Sequence, residues 1–307
     1  MGRHIGRRLI VALPTLFIIV TLSFFMMRAA PGGPFDQERQ LPPDILRNVE
    51  RAYHLDKPLL QQYLLYLGGV VRGDLGPSFR TKDFTVNELL AEGAPASLKL
   101  GSLALLLATV LGLAAGITAA LNQNSLVDYG VMTLAMIGIV IPNFVMAPLL
   151  TLVFGVWLGW LPVAGWGDGS LYFLALPILA LGLPQVARIA RLTRGSMIEV
   201  MNANYVRTAR AKGLRERIVV ARHALRGALL PVISYLGPAA AALMTGSVVI
   251  ETIFSLPGIG RYFVQAALNR DYTVVMGVVI VFAVLIILLN LIVDLIYGLL
   301  DPKVKHG

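Results

Sequence analysis

Six apolar runs divide the chain: Leu9–Met27, Ser97–Leu121, Tyr129 to about Gly155, Tyr172–Ala190, Pro231–Phe254 and Thr273–Gly298. A nearly uncharged run of about 18 residues or more can cross ~30 Å of hydrocarbon as a helix. Inside a bilayer a helix is also the way a lone segment satisfies its own backbone. The pattern predicts an all-α polytopic membrane protein with six transmembrane helices. The first run, 19 residues long, exceeds the 7–15 residues of a signal-peptide core, and no convincing small-x-small cleavage site precedes Pro31. It is read as a retained span.

The polar stretches set the organisation. Residues 1–27 are a short basic start and the first span. Residues 28–96 carry eight Lys/Arg and nine Asp/Glu and are expected to form a small extracytoplasmic (periplasmic) subdomain. Its predicted parts are a turn at Pro31–Pro34, helices over Leu41–Leu55 and Pro58–Val71, and a turn cluster at Gly73–Ser78. Residues 97–307 hold the other five spans, joined by a Trp-rich outer loop (Trp157–Gly169), a basic loop (188–230) and a second outer loop (Ser255–Tyr272). The small residues Gly101, Gly112, Ala114, Ala115 and Gly116 in the second run suit close helix packing.

The basic loop is the most charged part of the chain, with ten Lys/Arg against Glu199 and Glu216 between Arg188 and Arg226. So many cations cannot sit in lipid at about 2.5–3.5 kcal/mol each. Lys212-Gly213 reads as a helix stop, with a cation at the negative end of the dipole and a glycine for the left-handed residue after the last turn. A second helix is expected from about Arg215 to Arg226, ended by Gly227, with Pro231 opening the next span. The loop could be a stripe on anionic lipid or a docking element. The small side chains in Arg207-Thr208-Ala209-Arg210-Ala211-Lys212-Gly213 favour docking, because they admit a protein partner closely.

Composition agrees with the pattern: 57% of residues are hydrophobic, 14% are charged, and the net charge is +9. The mean hydropathy is +0.75. The positive charge is concentrated at the N-terminus, in the 188–230 loop and in the C-tail. With six spans these fall on one side, so both termini are expected in the cytoplasm. That concentration reads as topology and argues against a nucleic-acid surface. The chain has no cysteine, hence no disulfide or thiolate site. It has no phosphate-binding G-x-x-x-x-G-K-[ST] and no H-E-x-x-H. His4, His54, His223 and His306 lack ligand spacing, so no metal site is expected. No Ser/His/Asp set falls at one membrane depth. Lys99, Glu251 and Asp294 are the ionisable residues near or within the spans. Lys99 is expected to snorkel and Asp294 to pack. Glu251 is open to an anchoring or a substrate role. Pro142-Asn143-Phe144 breaks the third run, and the freed carbonyls suit either a kinked packing or a pathway.

Several stretches resemble one family, the OppB/DppB family of permeases in binding-protein-dependent ABC importers. They are Thr208–Leu214 with His223-Ala224-Leu225 and Leu230-Pro231; Glu251–Phe254 with Pro257-Gly258-Ile259-Gly260; Arg7-Arg8, Pro14-Thr15 and Pro31-Gly32; and Asn269–Tyr272. Gly73–Phe79 and the short Trp157–Gly169 loop place it on the oligopeptide side. The Glu-Ala-Ala positions that name the family's cytoplasmic EAA loop read Arg207-Thr208-Ala209, and Gly227 stands where the family often has Asn. The resemblance implies the type I ABC importer permease fold in the bacterial inner membrane. It implies coupling to ATPases through Arg207, Thr208, Ala209, Arg210, Ala211, Lys212, Gly213 and Leu214. Asn143, Phe144, Gly246, Ser247 and Glu251 are candidates for the translocation path, and Phe254, Pro257, Gly258 and Gly260 form a periplasmic motif. The implied partners are a paralogous permease (OppC/DppC type), two ABC ATPase subunits (OppD/OppF or DppD/DppF type) that bind ATP and Mg, and a periplasmic peptide-binding protein; this chain would hold no cofactor. Importers of dipeptides, glutathione or nickel complexes are the related alternatives. A stand-alone secondary transporter would be expected to show an internal repeat or a chain of intramembrane charges, and neither is evident.

Overall fold

The computed structural model describes residues 2–29, 51, 54–81 and 84–300. The predicted helix at Leu41–Leu55 lies outside the described residues except at positions 51, 54 and 55, and the turn at Pro31–Pro34 and the Asp294 side chain lie outside them. Among the described residues there is no strand beyond one bridge between Pro77 and Thr85.

Helix α1 (Gly2–Ala29) is followed by α2 (Leu59–Val71). The two pack through Phe24, Tyr63 and Tyr66, and the Thr21 and Tyr63 hydroxyls lie 2.8 Å apart. Helix α3 (Val86–Leu121) is 36 residues long and starts well before the predicted Ser97. The reason is a capping box: Thr85 Oγ1 accepts from the Glu88 amide (3.2 Å), and Glu88 Oε2 accepts from the Thr85 amide (2.7 Å). That pairing satisfies two of the orphan donors at a helix start.

Helices α4 (Leu126–Val140) and α5 (Asn143–Leu150), the latter extended by a π-helical segment Thr151–Trp157, replace the single third span of the sequence reading. They are bent by 107° at Ile141-Pro142. Proline has no N–H and clashes with the preceding turn, so a helix breaks there. Helix α6 (Leu171–Met201) runs about three turns past the predicted end at Ala190. Helix α7 (Asn204–Ala211), which carries Arg207 to Ala211 of the predicted coupling residues, follows. Then α8 (Glu216–Ile218), a π-helical turn (Val219–Ala224) and α9 (Leu225–Met244) continue without interruption. Gly227 therefore does not stop a helix, and Pro231 lies inside one. The predicted fifth span is instead broken at Gly246 (φ +89°) before α10 (Val248–Ile253). The supposed outer loop contains α11 (Ile259–Leu268), and α12 (Tyr272–Leu300) closes the chain. Among the described residues, five helical stretches are long and apolar enough to cross a membrane, and the bent α4–α5 pair makes a sixth span if counted as one.

The core is α3 packed on α6, and glycines set the distance. A Cβ on Gly112 would lie 2.7 Å from Ile189 Cβ, and one on Gly116 would lie 2.5 Å from Thr193 Cβ and 2.6 Å from the Ala190 carbonyl oxygen. Gly182 of α6 likewise faces Ala104 of α3. The pairs 104/182, 112/189 and 116/193 rise together, so α3 and α6 run parallel. Met136 and Asp128 of α4 meet Arg191 and Arg194 in reverse order, and Leu243 of α9 meets Gly101 of α3. Both α4 and α9 are thus antiparallel to the central pair, the alternation that consecutive spans require. Gly116→Leu should prevent this packing outright, because the atoms it would meet are the Ala190 backbone and the β-branched Thr193 Cβ, which cannot swing away. The expected outcome is loss of the folded, detergent-extractable protein, read by size-exclusion chromatography of membrane extracts. A normal monodisperse peak would contradict it.

Candidate functional sites at the two ends of the bundle

The predicted coupling segment is built from two opposed faces. Val206 and Ala209 of α7 are buried with Met197, Val219, Ala224, Ala228 and Ala120. Arg207, Thr208, Arg210, Ala211, Lys212, Gly213 and Leu214 are exposed. Seven of the eight predicted coupling residues thus lie on the free surface. Ala209 does not; it is the packing foot of the helix, so its small size serves the fold. The Lys212 amide donates to the Thr208 carbonyl (3.1 Å) and the Gly213 amide to the Arg210 carbonyl (2.9 Å), with Gly213 at φ +73°. Arg210 then clasps the next helix. Its Nη2 and Nε donate to Glu216 Oε1 and Oε2 at 2.7 and 3.2 Å, and its Nη1 donates to the Met201 carbonyl at 3.2 Å. The Glu216 carboxylate raises the Arg210 pKa, so the pair stays ionised at physiological pH. An exposed pair contributes little energy; the clasp defines geometry.

The opposite end is organised by Glu251, which is 1% exposed. Its carboxylate accepts from Ser97 Oγ (2.7 Å) and the Arg261 amide (3.1 Å), and Ser97 Oγ in turn accepts from the Ile259 amide (2.9 Å). The carboxylate therefore sits against the first turn of α11, where orphan amides and the positive dipole end favour an anion. Gly246, Gly258 and Gly260 form a collar around it; a Cβ on any of them would come within 2.9 Å of a Glu251 atom. Phe254 is buried, and its carbonyl accepts from the Gly165 amide (2.9 Å), while Pro257 is half-buried. Lys99 lies near this end, with Nζ 6.0 Å from the Trp166 ring centroid. From Ser97 to Ala120, which touches the α7 cluster, α3 rises about 35 Å at 1.5 Å per residue. The two sites are separated by a hydrocarbon thickness.

Asp271 is an organising residue that sequence reasoning missed. Its Oδ2 accepts from Ser78 Oγ and the Arg80 amide, and its Oδ1 accepts from the Phe79 amide (3.2 Å) and Thr273 Oγ1 (2.9 Å). Two stretches that carried the family resemblance, Gly73–Phe79 and Asn269–Tyr272, are thereby stitched together across the fold. The sequence signal was a lone acid immediately before a long apolar run, with nothing to show its partner.

Between the two ends lies a cavity of ≈ 340 Å³ at the meeting of both helix breaks. Pro142 and Asn143 line it from the α4–α5 break, Gly246 and Ser247 from the break before α10, and Gln185 and Arg188 from α6. Three of the five predicted path residues, Asn143, Gly246 and Ser247, thus come together. Phe144 is 62% exposed and Glu251 is sealed in its collar, and neither lines the cavity. Arg188 and Gln185 were not singled out, because the sequence reading placed Arg188 in a water-facing loop.

The chain is thus a bundle of broken and unbroken spans with an exposed helix face, that of α7, at one end. The fold is similar to a chain of the MetNI methionine ABC transporter in inward-facing conformations, with a TM-score of 0.59 at 19% identity, covering 69% of this chain and 96% of that chain. It is also similar to an amino acid ABC transporter with histidines, TM-score 0.54 at 15% identity, over 68% of this chain and 93% of that one. The chain belongs to the binding-protein-dependent transport system inner membrane component family, whose model matches residues 112–306, with the family's N-terminal component matching residues 1–96. Over 306 residues it is 56% identical to the oligopeptide transport system permease protein OppB of Salmonella typhimurium, with 100% of both chains covered. It is 52% identical to the Haemophilus influenzae protein of that description, again over 100% of each. The dipeptide transport system permease protein DppB of Bacillus subtilis is 45% identical, covering 99% of this chain and 98% of the relative.

Proposed function

We propose that this chain is one of two membrane subunits of an ATP-driven importer that moves oligopeptides across the bacterial inner membrane. The substrate class rests on the full-length identity to oligopeptide permeases. The observation that carries the coupling role is α7, rooted by Val206 and Ala209 with its other face bare. In this reading a paralogous permease completes the path, and two ABC ATPase subunits bind ATP and Mg and do the hydrolysis. A periplasmic peptide-binding protein delivers substrate at the Glu251 end. Closure of the ATPases pushes α7, which shares one cluster with α3, α6 and α9, so the displacement passes to the spans as a rigid unit.

Co-expression with those subunits, purification through this chain and reconstitution into proteoliposomes tests the proposal. ATP-dependent uptake of tri- to pentapeptides is expected, with no ATP hydrolysis by this chain alone. Hydrolysis by the pure subunit, or failure to capture any ATPase, would overturn it. The second reading, a dipeptide importer, is favoured by the DppB identity and would show as uptake confined to two-residue peptides.

A further inference from the structure

Three arginines lie one turn apart on α6, and their partners thin out towards the cavity. Arg194 makes a two-pronged contact with Asp128, at 2.6 Å on each prong. Arg191 Nη2 meets the Met136 sulfur, at 2.8 Å, with no carboxylate partner among the described residues. Arg188 Nη1 donates to the Tyr235 hydroxyl at a long 3.4 Å, and no carboxylate pairs with it among the described residues. Yet Arg188 is the deepest of the three. It neighbours Ile189, which meets Gly112, and Gly112 is about 12 Å along α3 from Ala120 at the coupling end. Arginine at such depth is costly and marks a pathway or a partner by default.

The surroundings favour a visiting partner. The cavity beside Arg188 has the volume of a small-ligand site (about 300–1,000 Å³), and among the described residues Arg188 is the one charged residue lining it. The Tyr235 hydroxyl, which accepts from Arg188, donates to Gln185 Oε1, and Gln185 also lines the cavity. This relay holds the guanidinium at the rim and leaves most of its five donors uncommitted. A planar fork of donors matches a carboxylate. Resting on the peptide-importer reading, we propose that Arg188 and Gln185 form a carboxylate-binding subsite on the substrate path. Each passing peptide that bears a carboxylate occupies it transiently through that group. Its half-open position lets the peptide leave again, which a transport site requires.

The carboxylate could be the C-terminus or an acidic side chain, and the peptides chosen separate the two. Uptake is measured with the full complex and its binding protein in proteoliposomes, for wild type, Arg188→Gln and Arg188→Lys. The probes are trialanine as the free acid, trialanine amide, and an amide of the same length with one glutamate. Arg188→Gln should lower free-acid uptake on the order of tenfold, the effect of losing one charge-assisted hydrogen-bond pair. Arg188→Lys should recover much of it, and trialanine amide should be indifferent to both changes. A fall for the glutamate amide as well assigns side-chain carboxylates to the subsite; its absence assigns the C-terminus alone. An equal fall for all three peptides, no fall for either acid-bearing peptide, or loss of the partner permease on purification overturns the subsite. Wild-type complex that moves none of the peptides would instead refute the importer reading itself.

Discussion

Gly213→Pro is expected to abolish peptide uptake and peptide-stimulated ATPase activity while the importer still assembles. Gly213 ends α7 at φ +73°, and its amide donates to the Arg210 carbonyl. Proline fixes φ near −65° and has no N–H, so it can satisfy neither condition. A misfit of that kind costs about 3 kcal/mol or more, which is on the order of a hundredfold in the population of the native turn. The turn sets the angle between α7 and the helix from Glu216, so its loss frees α7 from the spans that it is proposed to move. Two milder variants isolate the cause. A Cβ at position 213 would meet nothing within 4 Å, so volume is not at issue and backbone sign is. Gly213→Asn, which tolerates the left-handed region, should keep most activity. Gly213→Ala should fall between, with about 1–2 kcal/mol of strain. The measurements are ATP-dependent uptake and ATPase stimulation in proteoliposomes, with co-purification of the ATPases as the assembly control. Coupled uptake in Gly213→Pro would show that α7 does not transmit the stroke.

The features legible in the sequence share a local cause. Lys212-Gly213 announced the end of α7, and Pro142 announced the broken third span, because both act through their own backbone. The errors came from features whose cause is tertiary. Arg188, Arg191 and Arg194 read as a water-facing loop, yet α6 continues through them because Asp128, Met136 and Tyr235 of other helices receive their side chains. Gly227 read as a stop, but its missing Cβ makes room for the Tyr205 hydroxyl, which would lie 2.8 Å from it. Other signals were present and unused. Thr85-Val86-Asn87-Glu88 spells a capping box. Ile259, Tyr262, Phe263 and Ala266 repeat at helical spacing, and they are the face by which α11 joins the Val86–Val278 cluster. For Glu251 the sequence offered anchoring and substrate contact as equals, since a carboxylate near a span end serves either. Its environment was decided by Ser97, 154 positions away.

Gly258→Ala is expected to be the most disruptive single methyl addition at the Glu251 end. The new Cβ would lie 2.3 Å from Glu251 Cδ and 2.4 and 2.5 Å from its two oxygens. The carboxylate cannot move aside, because Gly246 and Gly260 close the other sides of the collar and Ser97 and the Arg261 amide hold it. Either the α10–α11 turn opens or Glu251 is expelled. Expulsion leaves the Ser97 hydroxyl and the Arg261 amide without their acceptor, at about 1–3 kcal/mol for each buried group left unsatisfied. A loss of several kcal/mol would appear as a clearly lower unfolding temperature of the detergent-solubilised complex. The steric account makes a stricter demand on a double variant. Glu251→Ala alone should destabilise by emptying the collar, but adding Gly258→Ala to it should cost little more, since the clashing carboxylate is gone. Strong non-additivity of this kind is the mark of directly contacting residues. Equal additive losses, or a Gly258→Ala complex as stable as wild type, would mean that the collar does not depend on glycine. The same collar fixes the start of α10, and Gly246 and Ser247 are both its edge and the cavity wall. Loosening it should therefore also blur the site that Arg188 faces, so uptake by Gly258→Ala should fall even at temperatures where the complex stays folded.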